Sequence, residues 1–221
     1  MTTNKRIDGF TIVELMIATV VFGVVLMGVT GAILQMTKNY QKSMYVANTQ
    51  AAANTIIQSV SQSVKYNGSD YYQGGPGVYC IGNRAFHYAM GRRLVSNTAA
   101  TPTSTPHALV TQQRNTCTSL NMSDATTPLS SESKELLGHG MRLAKFSIAS
   151  TGSSAVAITV RVVYGEDDLL CRDDVANSCQ KGGTELNQTQ LTTPGDLRCR
   201  PDAGSEYCAV SELTTLVQPG L

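Results

Sequence analysis

The chain has 221 residues, 42% of them hydrophobic and 15% charged, and its 17 Lys and Arg against 16 Asp and Glu leave a formal charge of +1. A chain of this length holds one ordinary domain plus an appended helix and does not require a second core. Its charge balance lacks the basic surplus that would advertise nucleic acid as a partner.

The first element is an apolar run. Residues 10–36, FTIVELMIATVVFGVVLMGVTGAILQM, are interrupted only by Glu14, Gln35 and a few Thr and Gly. At about 1.5 Å per residue, the stretch from Leu15 to Leu34 covers about 30 Å, the thickness of a bilayer's hydrocarbon core. Lys5 and Arg6 precede it, so the residues after Lys38 are expected on the far side of the membrane. A secretory signal would place small residues after the apolar core, yet Thr37-Lys38-Asn39-Tyr40 stands there and the small residue, Gly9, comes before it. An ordinary anchor has no use for Glu14, since a carboxylate at the centre of a spanning helix costs about 2.5–3.5 kcal/mol.

The segment Lys5-Arg6-Ile7-Asp8-Gly9-Phe10-Thr11-Ile12-Val13-Glu14-Leu15 resembles the signal of type IV prepilins and pseudopilins: a short basic leader, Gly before the cut, Phe after it, and Glu five residues into the mature chain. The resemblance implies cleavage between Gly9 and Phe10 by a prepilin peptidase that also N-methylates Phe10. Removing the leader takes two basic and one acidic side chain from the 17 and 16, leaving 15 of each. The resemblance further implies a lipid bilayer as first environment, an inner-membrane assembly platform and other pilin subunits as partners through the N-terminal helix. In that setting Glu14 forms an intersubunit salt bridge with the amine of a neighbour's Phe10, an interaction suited to setting register. Without the resemblance, Glu14 reads as a carboxylate near a helix N-terminus, favoured by the macrodipole. Gly23, Gly28 and Gly31 each weaken a helix by about 0.8–1 kcal/mol relative to Ala. Gly23 and Gly31 are where the family's helix melting is expected, although relatives commonly carry proline at the place of Gly31. Close helix packing is a compatible use of all three glycines.

From Thr37 to about Tyr66 the chain becomes polar but keeps helical spacing, with Tyr40, Met44, Ala47, Ala51, Ile56 or Ile57, Val60 and Val64 on the expected apolar stripe. The helix is therefore expected to continue for about 55 residues and to stop at Asn67-Gly68-Ser69-Asp70. Val78–Ile81 and residues 85–90 flank Gly82-Asn83 as a hairpin. Residues 96–106 and 121–133 are Ser/Thr/Pro-rich loops. Met141–Ser150 and Val156–Tyr164 read as paired strands across residues 151–154, with Val156, Ile158, Val160 and Val162 on one face, and residues 208–217 form a last strand. The fold class is α+β: a long N-terminal helix, membrane-spanning in its first half and amphipathic in its second, packed on an antiparallel sheet with disulfide-stapled loops. The expected divisions are a cleaved leader at 1–9, a membrane or filament-core helix at 10–36, an amphipathic helix at 37–67 and an extracytoplasmic β-rich head at 68–221.

Six cysteines without a CxxC pair or a nearby histidine fit disulfides outside the cytosol better than zinc. Six cysteines allow 15 pairings, and the short separations favour Cys171 with Cys179 and Cys199 with Cys208, leaving Cys80 with Cys117. Asp167, Asp168, Asp173 and Asp174 form an acidic run that is a weak calcium candidate and otherwise a solvated turn. His87, His107 and His139 are isolated, and no GxSxG, P-loop or HExxH pattern occurs, so neither a catalytic site nor a cofactor is expected. Asn67, Asn121 and Asn187 begin N-x-S/T tripeptides that are treated as background. Arg84, Arg92, Arg93 and Arg114 are the residues a DNA-binding reading would use, disfavoured by the neutral mature chain.

Taken together, these features predict a structural, non-enzymatic subunit of a type IV pilus, located in the inner membrane and then at the cell surface. Its length, loops and cysteines resemble the larger minor pilins of the PilW and PulJ group. Adhesion, twitching motility and DNA uptake are the roles that the resemblance implies. A pseudopilin of a secretion or competence system is the first alternative. A single-span protein with an extracytoplasmic binding domain and no polymer is the second.

Overall fold

The computed structural model describes residues 10–67, 71–94, 107–113, 117, 122, 133–151, 155–193, 195–201 and 204–220. The leader with Gly9, most of the two Ser/Thr/Pro-rich loops, Arg114, Asn121 and the turn at 152–154 lie outside the described residues. One helix, α1, runs Ile12–Asn67 over 56 residues. The chain divides into two compact units, one ending at Gln41 and the other running Lys42–Leu221.

In the first unit, α1 is continuous through Gly23, Gly28 and Gly31. A Cβ added at any of the three would meet no atom within 4 Å, so no contact among the described residues demands glycine there.

The second unit holds the rest of α1 and three antiparallel sheets. Strands β1 (Tyr71–Gly75), β2 (Val78–Ile81), β3 (Arg84–Tyr88), β4 (Leu109–Gln113) and β5 (Lys134–Glu135) form a meander in chain order. Gly82 and Asn83 connect β2 to β3 as the two-residue hairpin, with Gly82 at φ +56°, a conformation glycine adopts without a Cβ penalty. Strands β6 (Met141–Ser150), β7 (Val156–Tyr164) and β10 (Ala209–Val217) form a second sheet in the order β10-β7-β6. Between them in sequence lie β8 (Leu170–Arg172), a short helix α2 (Gln188–Thr192) and β9 (Leu197–Cys199), with β8 paired to β9.

The main core lies between the α1 residues Ala53, Ile56, Val60 and Val64 and apolar positions of both larger sheets, among them Phe86, Leu109, Leu143, Phe146, Ile158, Val160 and Val162. Burial in β7 alternates along Val156, Ile158, Val160 and Val162, as a period of two requires. β6 reaches the same core with Met141 and Leu143, then with Phe146 and Ile148, a skip of one residue. A β-bulge between Leu143 and Lys145 absorbs the extra residue and turns Ala144 to the other face. There Ala144, Val163, Leu170, Leu186, Leu191, Leu197 and Cys208 make a second, smaller core that anchors the cysteine-rich loops.

The stripe expected on the outer half of the helix is corrected at its beginning. Tyr40 and Met44 are exposed, as are Ala47 and Ala51, whereas Thr49, Ala53, Ile56, Val60, Ser63 and Val64 are buried. The apolar letters missed the true face because Thr49 occupies it. Its buried hydroxyl lies 2.9 Å from that of Ser211 on β10 and donates to the Val46 carbonyl, so a polar side chain is satisfied inside the interface. The helix end is closed by the Asn67 amide donating to the Ser63 carbonyl and the Gly220 N–H donating to that of Lys65.

Asn187 heads α2 in a reciprocal capping box: its side chain accepts from the Gln190 N–H, and the Gln190 side chain accepts from the Asn187 N–H. Asn187→Ala should cost about 1 kcal/mol, read as a lower denaturant midpoint.

Candidate functional site

Thr11 and Glu14 define how the helix starts. The Thr11 N–H and hydroxyl donate to Glu14 Oε2 at 3.1 and 3.0 Å, and the Glu14 N–H donates to Thr11 Oγ1 at 3.3 Å. With Ile12 as the first helical residue, Thr11 is the N-cap and Glu14 the third position of a capping box, written in the sequence as T-x-x-E before an apolar run. The carboxylate also sits where the macrodipole favours negative charge. Sequence reasoning singled out Glu14 as a charge in need of a partner and overlooked Thr11, although the spacing was visible.

Phe10, Glu14, Ile17, Ala18, Val21, Phe22 and Val25 line one face of this helix, with Glu14 as its sole ionisable side chain. The apolar surface is large: Phe10 is 84% exposed, and Leu15, Val20, Phe22, Val24, Ile33 and Met36 are exposed too. An 18-residue window in α1 has mean hydropathy 2.5 and none of it is buried, so the helix is long and apolar enough to cross a membrane. Exposed apolar surface of this extent is far beyond what a soluble monomer normally presents.

The other sites raised by sequence separate cleanly. Disulfides join Cys80 to Cys117, Cys171 to Cys179 and Cys199 to Cys208, with Cα–Cα distances of 6.0, 5.0 and 5.7 Å. Asp167 accepts from Arg142 at 2.6 Å, Asp173 from Arg198 at 2.8 Å, and Asp174 takes a two-pronged contact from Arg172 at 2.8 and 2.5 Å. Burial pushes the Asp167 carboxyl upward, but the hydrogen bond and charge of Arg142 outweigh it and hold its pKa low; Asp174 is held low chiefly by its hydrogen bond to Arg172. Among the described residues no group of three or more His, Cys, Asp or Glu gathers to hold a metal. Three of the four carboxylates of the calcium reading, Asp167, Asp173 and Asp174, are thus paired with arginines.

Of the three histidines, His87 is fully buried on β3, His107 lies 3.4 Å from Glu135, and His139 sits in a turn. Glu135 accepts from the N–H groups of Leu109, Ala108 and Leu137, yet burial raises its pKa overall. Among the arginines of the DNA-binding reading, Arg92 is spent on the Met122 carbonyl and Arg93 on Glu166, while Arg84 is exposed. Asn67 and Asn187 use their side-chain amides in helix-end contacts.

No curated protein and no solved structure matches the chain. Residues 4–30 match the family model described as the prokaryotic N-terminal methylation motif, the signal of type IV prepilins. The motif and the apolar helix that follows it fit a membrane-anchored, pilin-like or pseudopilin protein.

Proposed function

We propose that this chain is a structural, non-enzymatic minor subunit of a type IV pilus. The observation that carries this reading is the coincidence of the methylation motif at residues 4–30 with a helix whose apolar surface is left wholly uncovered. In this reading the prepilin peptidase cuts between Gly9 and Phe10 and methylates Phe10. Residues 10–36 hold the subunit in the inner membrane by a single span. Residues 37–67 continue the helix, and 68–221 form the extracytoplasmic head.

The assembly platform then moves the apolar helix from lipid to the helices of other subunits, where its surface is again kept from water. Glu14 meets the methylated amine of a neighbour's Phe10. Because Thr11 already donates twice to Glu14, that pairing exchanges or shares existing bonds, which favours a role in register over net stability. The three disulfides support an oxidising location for the head.

Two measurements test the proposal. Mass spectrometry of protein from cells with an active prepilin peptidase should show N-methyl-Phe10 as the first residue; an intact leader beginning at Met1 would overturn processing. Glu14→Leu should insert into membranes normally and be absent from sheared filaments. Incorporation at the wild-type level would remove Glu14 from the assembly step.

A further inference from the structure

A second site lies in the head, independent of the N-terminal segment. Tyr45 of α1, Arg93, the His139–Gly140 turn, Tyr164 at the end of β7, Gly165, Glu166, Leu169 and Tyr207 surround a cavity of about 280 Å³. The rings of Tyr45 and Tyr164 stack at 4.3 Å with 16° between their planes, and Tyr207 stands edge-on to Tyr45 at 6.4 Å and 61°. Arg93 and Glu166 form an ion pair on the rim.

Each wall is held by something buried. Tyr164 is paired in the sheet with Met141 on one side and Ala209 on the other, and its ring covers Gly140, where a Cβ would come 2.8 Å from it. Gly140 has φ +75°, so the close approach and the backbone both require glycine. Glu166 is carried on a turn whose flanking groups, the Gly165 carbonyl and the Asp167 carboxylate, both accept from Arg142, a side chain only 1% exposed. Tyr207 ends a short 3₁₀ turn directly before Cys208, which is bonded to Cys199. The cavity is therefore preformed, so a ligand would not have to order its walls.

The lining decides the ligand class. Aromatic surface supplies a flat apolar contact, while the tyrosine hydroxyls, His139 and the Arg93–Glu166 pair supply both donors and acceptors. A cation is disfavoured because Arg93 already neutralises Glu166 and sets its own positive charge on the rim. A wholly apolar ligand would strand the polar rim. At about 280 Å³ the space lies near the lower end of small-molecule sites, enough for a single small ring. We propose that this pocket binds one neutral saccharide residue, its apolar ring face on the half-exposed ring of Tyr207 and its hydroxyls on the charged rim.

The test uses the full-length protein in lipid nanodiscs, free of glycoside detergents. Saturation-transfer NMR is run with the methyl glycosides of glucose, galactose, mannose and N-acetylglucosamine, and with tetramethylammonium. At least one glycoside should bind at millimolar concentration, and tetramethylammonium should not. Tyr207→Ala, a change at a side chain 41% exposed, should weaken binding at least tenfold. Glu166→Gln, 60% exposed, should weaken it at least fivefold without touching the rings. Absence of binding by every glycoside, binding unaltered in both variants, or competition by tetramethylammonium would each overturn the assignment.

Discussion

Asp167→Ala is expected to destabilise the head by about 3 kcal/mol, more than Arg142→Met at the other end of the same pair. The difference comes from which charge is left behind. Arg142 is buried at the start of β6, and its guanidinium donates to the carbonyls of Gly91 and Gly165 at 3.4 and 3.1 Å and to Asp167 at 2.6 Å. Removing Asp167 leaves a buried cation with carbonyl partners alone. Asp167, by contrast, is 44% exposed and can be rehydrated when Arg142 is replaced by an apolar chain of similar length. The cost of Arg142→Met should accordingly stay below about 1.5 kcal/mol, mostly for two carbonyls that lose a donor.

The same pair gives a pH dependence of known sign. Asp167 titrates below its ordinary value of 3.8 in the folded state, since Arg142 outweighs the effect of burial. Its contribution is thus fully present above that ordinary value and is lost as pH falls through the lower folded one. Urea unfolding at neutral pH should separate wild type from Asp167→Asn, and the separation should narrow in acid. A gap independent of pH would show that packing, and not the ion pair, holds the turn.

The second large effect concerns Cys80 and Cys117. Their bridge closes a separation of 37 residues, against 8 for Cys171–Cys179 and 9 for Cys199–Cys208. On the chain-entropy account the long loop is worth about 4 kcal/mol and each short one about 2.5. Double serine replacement of Cys80 and Cys117 should therefore produce the largest loss of the three paired variants, measured as unfolding free energy in urea. The bridge also ties β2 to the chain beyond β4, and its Cys117 sulfur lies against Gly74 of β1, where no side chain would fit. If all three variants lost the same amount, loop entropy would not be the governing term.

Local pattern explains which parts of the architecture could be read from letters. The long helix, β7 and the β2–β3 hairpin announce themselves through periodicity or turn chemistry, because each is specified by neighbours in sequence. β6 was legible too, but its bulge lay hidden in the skip from Leu143 to Phe146. The helix stripe was misplaced at Tyr40, Met44, Ala47 and Ala51 because Thr49 is buried through a partner 162 residues away, which no local rule can see. Strands β4, β5, β8 and β9 are short and go unread for a related reason: their sequence carries little alternation, and their order comes from pairing.

The sites divide along the same line. Gly9, Phe10 and Glu14 lie in one contiguous motif, whereas the tyrosine pocket draws on positions 45, 93, 139–140, 164–166, 169 and 207 and has no signature in sequence. In the acidic run, the arginines that pair with Asp167, Asp173 and Asp174 could not be read from the run itself. Arg172 adjoins it in sequence, but Arg142 and Arg198 arrive from other strands.

The hydroxyl pair of Thr49 and Ser211 has a mechanical meaning. In the largely apolar seam between the head's part of α1 and its sheet, grease alone would resist sliding only weakly, since one oily contact can replace another. Advancing the helix by one turn, about 5.4 Å, would set Tyr45 or Ala53 against Ser211 and strand a buried hydroxyl. The pair works as an index pin: it gives the helix one seating depth in its own domain, so tension along the helix axis is transmitted to the sheet without creep.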